Sequence, residues 1–232
     1  MLIENCNCRI SKIWRNVDCQ CDGRCARLPK RDIYVNDEYK SFDVRKHPWY
    51  RNASELDLPD ACVIKSHELP DSALHAFPKR LVHLVRDGRD VVVSKFFFER
   101  DFCVANGVYP KFDEEFDDYV PRVAAEWNRY VLAWLNSGVP IVRYEEFLTA
   151  PIAAAQCLLS FAGKTASEEA LQSALNGNTK EKLHASLSLA FAHNTFVRKG
   201  IAGDWRNHFQ ERHIAAFEYA AGEAMEALGY SW

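Results

Sequence analysis

The sequence predicts an α/β fold, in which a parallel β-sheet is flanked by helices. Three short apolar runs, at 61–64, 81–85 and 139–144, have the length of buried strands. Segments with apolar residues at helical spacing follow the second and third runs. Because strands that alternate with helices favour parallel βαβ units, we expect the polar residues at the carboxyl ends of the strands to meet at one edge of the sheet.

Length and charge limit the class of protein. The 232 residues, of which 48% are hydrophobic, are enough for a single domain over residues 1–232 with a large core. The net charge of −3 argues against nucleic-acid binding. No apolar run approaches the roughly 20 residues of a membrane span, and the N-terminus does not resemble a signal peptide. We therefore expect a cytoplasmic protein, unless an upstream anchor is missing; nothing in the sequence indicates the oligomeric state.

The first 60 residues are poorly defined, and we predict mostly loop with one short helix. Five of the eight cysteines lie here, namely Cys6, Cys8, Cys19, Cys21 and Cys25. Closely spaced thiolates can complete a tetrahedral zinc site, but the spacing is not C-x2-C and no histidine is near. Reduced thiols on an irregular segment explain the cluster equally well. The other cysteines, Cys62, Cys103 and Cys157, are predicted to be small core residues.

The first apolar run is followed by Lys65-Ser66-His67, so a lysine and a histidine, both able to take part in catalysis, lie at its carboxyl end. Strand alternation places Lys65 and His67 on the same face. Near neutral pH a histidine can act as a general base, and an adjacent lysine can stabilise developing negative charge. The alternative is a surface loop that carries two polar side chains.

A strand–turn–helix joint follows the second apolar run. Such a joint points the first N–H groups of the helix, and its positive dipole end, at the carboxyl end of the strand, which favours anion binding. Arg86 and Arg89 stand at the joint, and Ser94 lies two turns into the helix. The alternative is that each arginine forms a solvated ion pair with the aspartate that follows it, Asp87 or Asp90. These residues alone do not decide between the two.

Helical spacing and terminators predict the remaining elements. Gly138 is a typical helix stop, and Pro151 suits the first turn of a helix. The helices are predicted at 112–138, 151–161, 167–175, 180–189 and 211–228.

A basic loop precedes the last helix. Arg198 and Lys199 stand directly before Gly200, and the pair Gly203-Asp204 marks a turn. An arginine binds phosphate bidentately, a lysine adds a point charge, and a glycine lets the backbone approach closely. The loop therefore favours a phosphate clamp over a merely solvated basic loop.

Together, these motifs resemble the sulfotransferase family, enzymes that move a sulfuryl group from 3′-phosphoadenosine 5′-phosphosulfate (PAPS) to a hydroxyl or amine. LVRDGRDVVVSKFFF resembles the family's strand–turn–helix, which implies that Arg86 and Ser94 bind the 3′-phosphate. RKGIAGDWRNHF resembles the C-terminal loop that closes over the same phosphate, which implies roles for Arg198, Lys199 and Gly200.

Two further segments match. IKSHELP resembles the family's Lys-Thr-His-Leu-Pro segment, which implies that His67 is the general base and Lys65 a partner of the transferring group. VRYEEFLTAP resembles the strand that places a tyrosine near the adenine, here Tyr144. The resemblance covers residues 60–232. It implies a P-loop-like parallel sheet of sulfotransferase type, PAPS as donor, no metal, and a small-molecule, glycan or lipid acceptor.

One family motif has no match. Family members hold the 5′-phosphosulfate with an N-terminal loop of the type Pro-Lys-Ser-Gly-Thr-Thr-Trp. The corresponding segment here, CRISKIW, contains Arg9, Lys12 and Trp14 but no glycine. We expect a truncated or eroded N-terminus. A catalytically impaired protein that binds the nucleotide without turnover is therefore an alternative to an active sulfotransferase.

Overall fold

The structure is a computed structural model, and in it we describe residues 34–35, 65–66, 69–70, 81–161, 163–188 and 198–232. Only the backbone is described for 34–35 and 65–66. In these ranges no helix is long and apolar enough to span a membrane.

Helices separate the strands at 83–85 and 141–143, and further helices follow the second of them, as expected for an α/β protein. The strands are β1 (Tyr34–Val35), β2 (Lys65–Ser66), β3 (His83–Val85) and β4 (Ile141–Arg143). The α-helices are α1 (Gly88–Phe97), α2 (Phe116–Asn136), α3 (Tyr144–Thr149), α4 (Pro151–Phe161), α5 (Glu168–Gly177), α6 (Lys180–Ser188) and α7 (Glu211–Ala227). A π-helix, Phe98–Cys103, continues α1, and a 3₁₀ helix, Asp204–Asn207, precedes α7. The predicted helices agree with these bounds to within a few residues, whereas β1 lies in a segment predicted to be mostly loop.

Strand pairing is parallel, as predicted. β1 pairs with β2, and β3 pairs with β4 with Val85 opposite Arg143. In the part of the chain described, the two pairs are separate ladders. Because β3 and β4 end side by side, the residues that follow them, Arg86 and Tyr144, start from the same edge of the sheet.

Helices cover both faces of the β3–β4 pair. His83 stacks on Trp134 of α2, with ring centroids 4.9 Å apart. Leu84, the next residue of β3, faces the opposite side of the sheet and packs with Val142 and with Leu158 of α4. This period-2 alternation along β3 produces the helix–sheet–helix layering that the sequence predicts.

One of the predicted core cysteines is not in the core. Cys103 is buried, as predicted, but Cys157 is exposed. The buried positions of α4 are Ala154, Ala155, Leu158 and Leu159. At 3.6 residues per turn these positions define one face of the helix, and residue 157 falls on the opposite face. Cys62 lies outside the described residues.

Gly88 permits α1 to pack directly against two aromatic rings. A Cβ at this position would lie 2.7 Å from Phe217 Cζ and 2.7 Å from Trp127 Cδ2. Gly88→Ala is therefore expected to lower the free energy of unfolding by about 1–3 kcal/mol through overpacking. Urea denaturation measures this change. The matched control is Gly222→Ala in α7, where the nearest side-chain atom is 3.9 Å away and the gain in helix propensity should stabilise the protein by about 0.5–1 kcal/mol. Equal stability of the two variants would contradict the packing argument.

His83 makes stability depend on pH. Burial lowers its pKa from 6.5 to about 3, so below pH 6.5 the unfolded chain takes up a proton that the folded protein excludes. The contribution of neutral His83 to the free energy of unfolding is complete above pH 6.5 and decreases as the pH falls. At pH 5 this contribution is smaller by about 2 kcal/mol. In denaturation experiments at pH 7.5 and 5, His83→Phe should lose about 2 kcal/mol less than the wild type over this interval. Equal losses in the two proteins would exclude His83 as the cause.

Candidate functional site

The joint between β3 and α1 is organised by Asp87. Asp87 is the N-cap of α1, and its Oδ1 accepts the N–H of Arg89 at 2.9 Å. The Asp87 carbonyl accepts the N–H of Val91 at 3.0 Å. The helix therefore begins directly after the strand, with Arg86 between the two elements.

The alternative, in which each arginine forms a solvated ion pair with the aspartate that follows it, is wrong in both the partner and the burial of the pairs. Arg86 pairs with Asp90, at 3.3 Å, and Arg89 binds Asp87 through two hydrogen bonds of 3.0 and 2.7 Å. All four residues are buried. Residues four apart share a helix face, which explains the first pair, and the N-cap position of Asp87 explains the second.

Asp90 joins α1 to the basic loop. Its two carboxylate oxygens accept the backbone N–H groups of Gly203, at 2.7 Å, and of Trp205, at 2.9 Å. Gly203 has a φ of 79°, a left-handed conformation that glycine adopts without strain. Asp90 is 1% exposed, so a single buried carboxylate holds the loop and also balances the charge of Arg86.

Arg86 and Tyr144 contact the same loop. Arg86 donates from Nη2 to the carbonyl of Ile201 at 2.7 Å, and its Cζ lies 5.0 Å from the centroid of the Tyr144 ring. The Tyr144 hydroxyl donates to the carbonyl of Gly200 at 3.3 Å. Three predicted site residues, Arg86, Tyr144 and Gly200, are thus brought together from distant parts of the sequence.

The two cations of the loop share a buried counter-ion. Arg198 and Lys199 bind Asp204 at 2.6 and 2.7 Å. Burial raises the pKa of this carboxyl, but hydrogen bonds from Lys199, Asn207 and Arg198 outweigh burial and hold the pKa well below its usual range. Burial lowers the pKa of the adjacent His208, whose ring is therefore neutral near pH 7. The Arg198 and Lys199 side chains are 26% and 46% exposed, so both can be reached from solvent.

The contacts described here do not connect the side chain of Ser94 to the basic loop. Ser94 is half-buried on α1, one turn before Phe97. The Cζ of Arg198 lies 4.6 Å from the centroid of the Phe97 ring. Because residues three apart are neighbours on a helix surface, Ser94 and Arg198 approach the same face of α1.

The predicted catalytic pair is not tested by these contacts. The backbone of Lys65 forms β2, paired with Tyr34–Val35, and His67 lies outside the described residues. Arg9, Lys12 and Trp14 also lie outside them, as does the N-terminal cysteine cluster with its zinc interpretation. In the described ranges no group of three or more His, Cys, Asp or Glu residues could hold a metal ion.

Sequence reasoning assigned no role in the site to three residues that hold it together. They are Asp90, Asp204 and Lys180, whose Nζ donates to the carbonyl of Lys199 at 2.8 Å. The spacing of four residues between Arg86 and Asp90 could have revealed one pair. The contacts of Asp90 with the loop and of Lys180 with Lys199 join residues far apart in the sequence, so no local pattern indicates them. Arg198 and Lys199 could each pair with other carboxylates in the sequence, so their pairing with Asp204 is not indicated either.

The chemistry of the site suits a phosphate group. Guanidinium groups donate bidentately to phosphate oxygens, and an ammonium group adds a point charge. Arg198 and Lys199 provide both, and both are partly exposed. Gly200 has a φ of 66°, and the absence of a Cβ, which would lie 3.9 Å from the Tyr144 hydroxyl, leaves its backbone accessible beside this tyrosine. Arg86 is buried and holds the loop through its hydrogen bond to the Ile201 carbonyl.

Comparison with known proteins agrees with this chemistry. The sulfotransferase domain family matches residues 20–229. Sulfotransferase 2B1 of Mus musculus is 28% identical over 75% of this chain and 56% of its own length. A 3-alpha-hydroxysteroid sulfotransferase of Cavia porcellus is 25% identical over 90% of this chain and 80% of its own. The chain thus spans little more than half of the first relative and most of the second.

Two solved structures share the fold. Mouse sulfotransferase SULT7A1 complexed with PAP superposes with a TM-score of 0.53 at 20% identity, over 63% of this chain and 58% of that one. Retinol dehydratase in complex with androsterone and the inactive cofactor PAP superposes with a TM-score of 0.57 at 20% identity, over 78% and 58%. Since the family match also spans most of the sequence, the chain belongs to the sulfotransferase family.

Proposed function

We propose that the chain is a single PAPS-dependent sulfotransferase domain that moves a sulfuryl group from PAPS to a hydroxyl or amine. The observation that carries the proposal is the hydrogen bond of 2.7 Å from Arg86 to the Ile201 carbonyl. It unites the strand–turn–helix joint with the basic loop, the two segments that the family uses for the donor's 3′-phosphate. The PAP complexes of two proteins of the same fold support this class of donor.

In this proposal, the donor's 3′-phosphate lies against the exposed cations of the loop. Arg198 and Lys199 exchange part of their contact with Asp204 for the phosphate oxygens, and the Gly200 N–H adds a donor. The adenine lies near Tyr144. Arg86 and Ser94, which the resemblance assigns to the same phosphate, complete the proposed donor-binding residues, together with Tyr144, Arg198, Lys199 and Gly200.

The proposed chemistry is an in-line transfer. The donor supplies the sulfuryl group. His67 removes the proton of the acceptor hydroxyl, whose oxygen forms a bond to sulfur while the bond from sulfur to the 5′-phosphate oxygen breaks. Lys65 stabilises the negative charge that grows on the leaving phosphate. Positioning and charge stabilisation would supply most of the rate enhancement, as in phosphoryl transfer.

The acceptor is proposed to be a small molecule with a hydroxyl group. Androsterone and retinol are bound in complexes of retinol dehydratase, which has the same fold. Hydroxyl groups of a glycan or a lipid present the same chemistry to the base.

A second candidate function is nucleotide binding without turnover. The absence of a match to the family's 5′-phosphosulfate loop favours it, since the segment CRISKIW has no glycine where a backbone must approach the phosphosulfate. In that case the 3′-phosphate clamp would be kept and the catalytic half of the site lost.

Calorimetry and a transfer assay on the full chain separate these functions. We expect 3′,5′-adenosine bisphosphate (PAP) to bind, and adenosine 5′-monophosphate to bind far more weakly, because it lacks the phosphate that the clamp recognises. Transfer of labelled sulfate from PAPS to a panel of hydroxyl acceptors then identifies an enzyme. Binding without transfer identifies the nucleotide-binding protein, and the absence of PAP binding would overturn both functions.

A further inference from the structure

Residues 230–232, which follow α7, fold back onto the base of the candidate site. The helix ends in a left-handed glycine, Gly229, with a φ of 70°. The N–H of Gly229 donates to the Glu226 carbonyl at 2.9 Å, and the N–H of Tyr230 donates to the Met225 carbonyl at 2.9 Å. A glycine of this kind closes a helix and reverses the chain. The reversal directs the 230–232 segment toward α1 and α3.

The first connection runs through a carboxylate. The Tyr230 hydroxyl donates to Oε2 of Glu145 at 2.8 Å, and Oε1 of Glu145 accepts the backbone N–H of Asp87 at 3.0 Å. Burial, together with the charge of Glu145, raises the pKa of Tyr230, so its hydroxyl remains a donor at physiological pH. Tyr230 is therefore linked through Glu145 to the backbone of the α1 N-cap.

The second connection runs through a guanidinium group. Arg89 donates from Nη2 to the Ser231 carbonyl at 2.8 Å and binds the carboxylate of Asp87 through two hydrogen bonds. The Arg89 Cζ lies 4.1 Å from the Trp205 ring centroid and 5.4 Å from that of Trp232. Both distances are within the range of a cation–π interaction.

Both connections end on the same residue, Asp87. It is the direct neighbour of Arg86 in the chain and stands three residues before Asp90, which holds the basic loop. Tyr230 has no described contact with Arg198 or Lys199, so its hydroxyl acts on the phosphate clamp through the start of α1. Arg89 also contacts the ring of Trp205, the residue after Asp204.

We propose that the 230–232 segment is a positioning element, which holds Asp87 and so fixes the direction in which Arg86 and Asp90 present the phosphate-binding loop. The inference rests on the proposed function, since the clamp it positions is the proposed site for the 3′-phosphate. Coupling between two sites is reciprocal, so PAP binding must stabilise the docked 230–232 segment by the same factor by which the segment strengthens PAP binding.

The test compares Tyr230→Phe with Tyr219→Phe. The first substitution removes only the hydroxyl that reaches Glu145. The second removes the hydroxyl of another tyrosine, on α7, which is 96% exposed. Three quantities are measured on the full chain: hydrogen exchange of the Asp87 amide without nucleotide, the Kd for PAP by calorimetry, and global unfolding by urea.

For Tyr230→Phe we expect the Asp87 amide to exchange faster, with the increase confined to the start of α1, and the Kd for PAP to rise about 5- to 20-fold. Tyr219→Phe should match the wild type in both measurements. Arg89→Lys should resemble Tyr230→Phe, because an ammonium group cannot bind Asp87 bidentately and reach the Ser231 carbonyl as well.

The remaining outcomes separate the two hypotheses. An unchanged Kd for PAP in Tyr230→Phe, an unchanged rate of exchange at Asp87, or an equal acceleration throughout the protein would each overturn the positioning role. Failure of the wild type to bind PAP would overturn the proposed function. In that case the exchange of the Asp87 amide alone would decide whether the 230–232 segment fixes the start of α1.

Discussion

Replacing Asp90 by Asn is expected to lower the free energy of unfolding by about 3–5 kcal/mol and to abolish PAP binding. The carboxylate is 1% exposed, pairs with Arg86, and accepts the N–H groups of Gly203 and Trp205. An asparagine has the same shape, but it carries no charge and can accept with only one of its two terminal atoms. The buried guanidinium of Arg86 would lose its ion pair with Asp90, and the basic loop would lose one of the two hydrogen bonds that Gly203 and Trp205 donate to this side chain.

Denaturation in urea measures the first effect, and calorimetry with PAP measures the second. The control is Asp101→Asn, which also removes one carboxylate from a pair with an arginine, Arg100, but at the surface. Exposed pairs contribute about 0–1 kcal/mol, so this variant should remain close to the wild type. If Asp90→Asn were as stable as the control, the buried carboxylate could not be what joins the loop to α1.

Replacing His67 by Ala is expected to reduce turnover about 10²- to 10⁴-fold, the usual contribution of a general base. PAP binding should be unchanged, because the proposed 3′-phosphate clamp is formed by α1, Tyr144 and the basic loop. The measurements are the rate of sulfate transfer under saturating PAPS and the Kd for PAP. His184→Ala, which changes an exposed histidine of α6, serves as the control.

Near-full activity of His67→Ala would show that another group removes the proton. Loss of PAP binding together with activity would instead place His67 in the nucleotide site. The combination of lost turnover and retained binding is the result that supports the base.

The carboxylates of the site have a common role. Asp90 and Asp204 are both almost fully buried, and each holds cations that the proposed function assigns to the phosphate. Asp90 offsets the charge of Arg86, and Asp204 offsets the charges of Arg198 and Lys199. The carboxylates therefore hold the cations in place before an anion arrives, and the exposed Arg198 and Lys199 can turn toward it. Such preorganisation lowers the cost of binding.

Local patterns predicted most of the fold. The bounds of α2 and of α4 to α7 follow from apolar spacing and from terminators such as Gly138, whose φ of 70° confirms it as a helix stop. The short helix α3 was not predicted, and Tyr144, expected at the end of a strand, is its first residue. The parallel pairing of β3 and β4 follows from the alternation of strands and helices. The exposed Cys157 and the strand at Tyr34–Val35 were missed, because the first depends on the phase of a short helix and the second has only two residues.

For the candidate site, the sequence by itself determined the residue types, their order and the resemblance to sulfotransferases, which suffices to propose a clamp for a 3′-phosphate. It did not determine partners. Arg86-Asp87-Gly88-Arg89-Asp90 contains two cations and two anions within five residues, and charge alone allows several pairings. The tertiary structure decided among them. Asp87 became the N-cap of α1, and the backbone N–H groups of Gly203 and Trp205 bound Asp90. Arg89 bound Asp87 and the carbonyl of Ser231. A buried charge is costly unless it is paired or hydrogen-bonded, and Arg86, Asp90 and Arg89 each gain a hydrogen bond with a residue more than a hundred positions away.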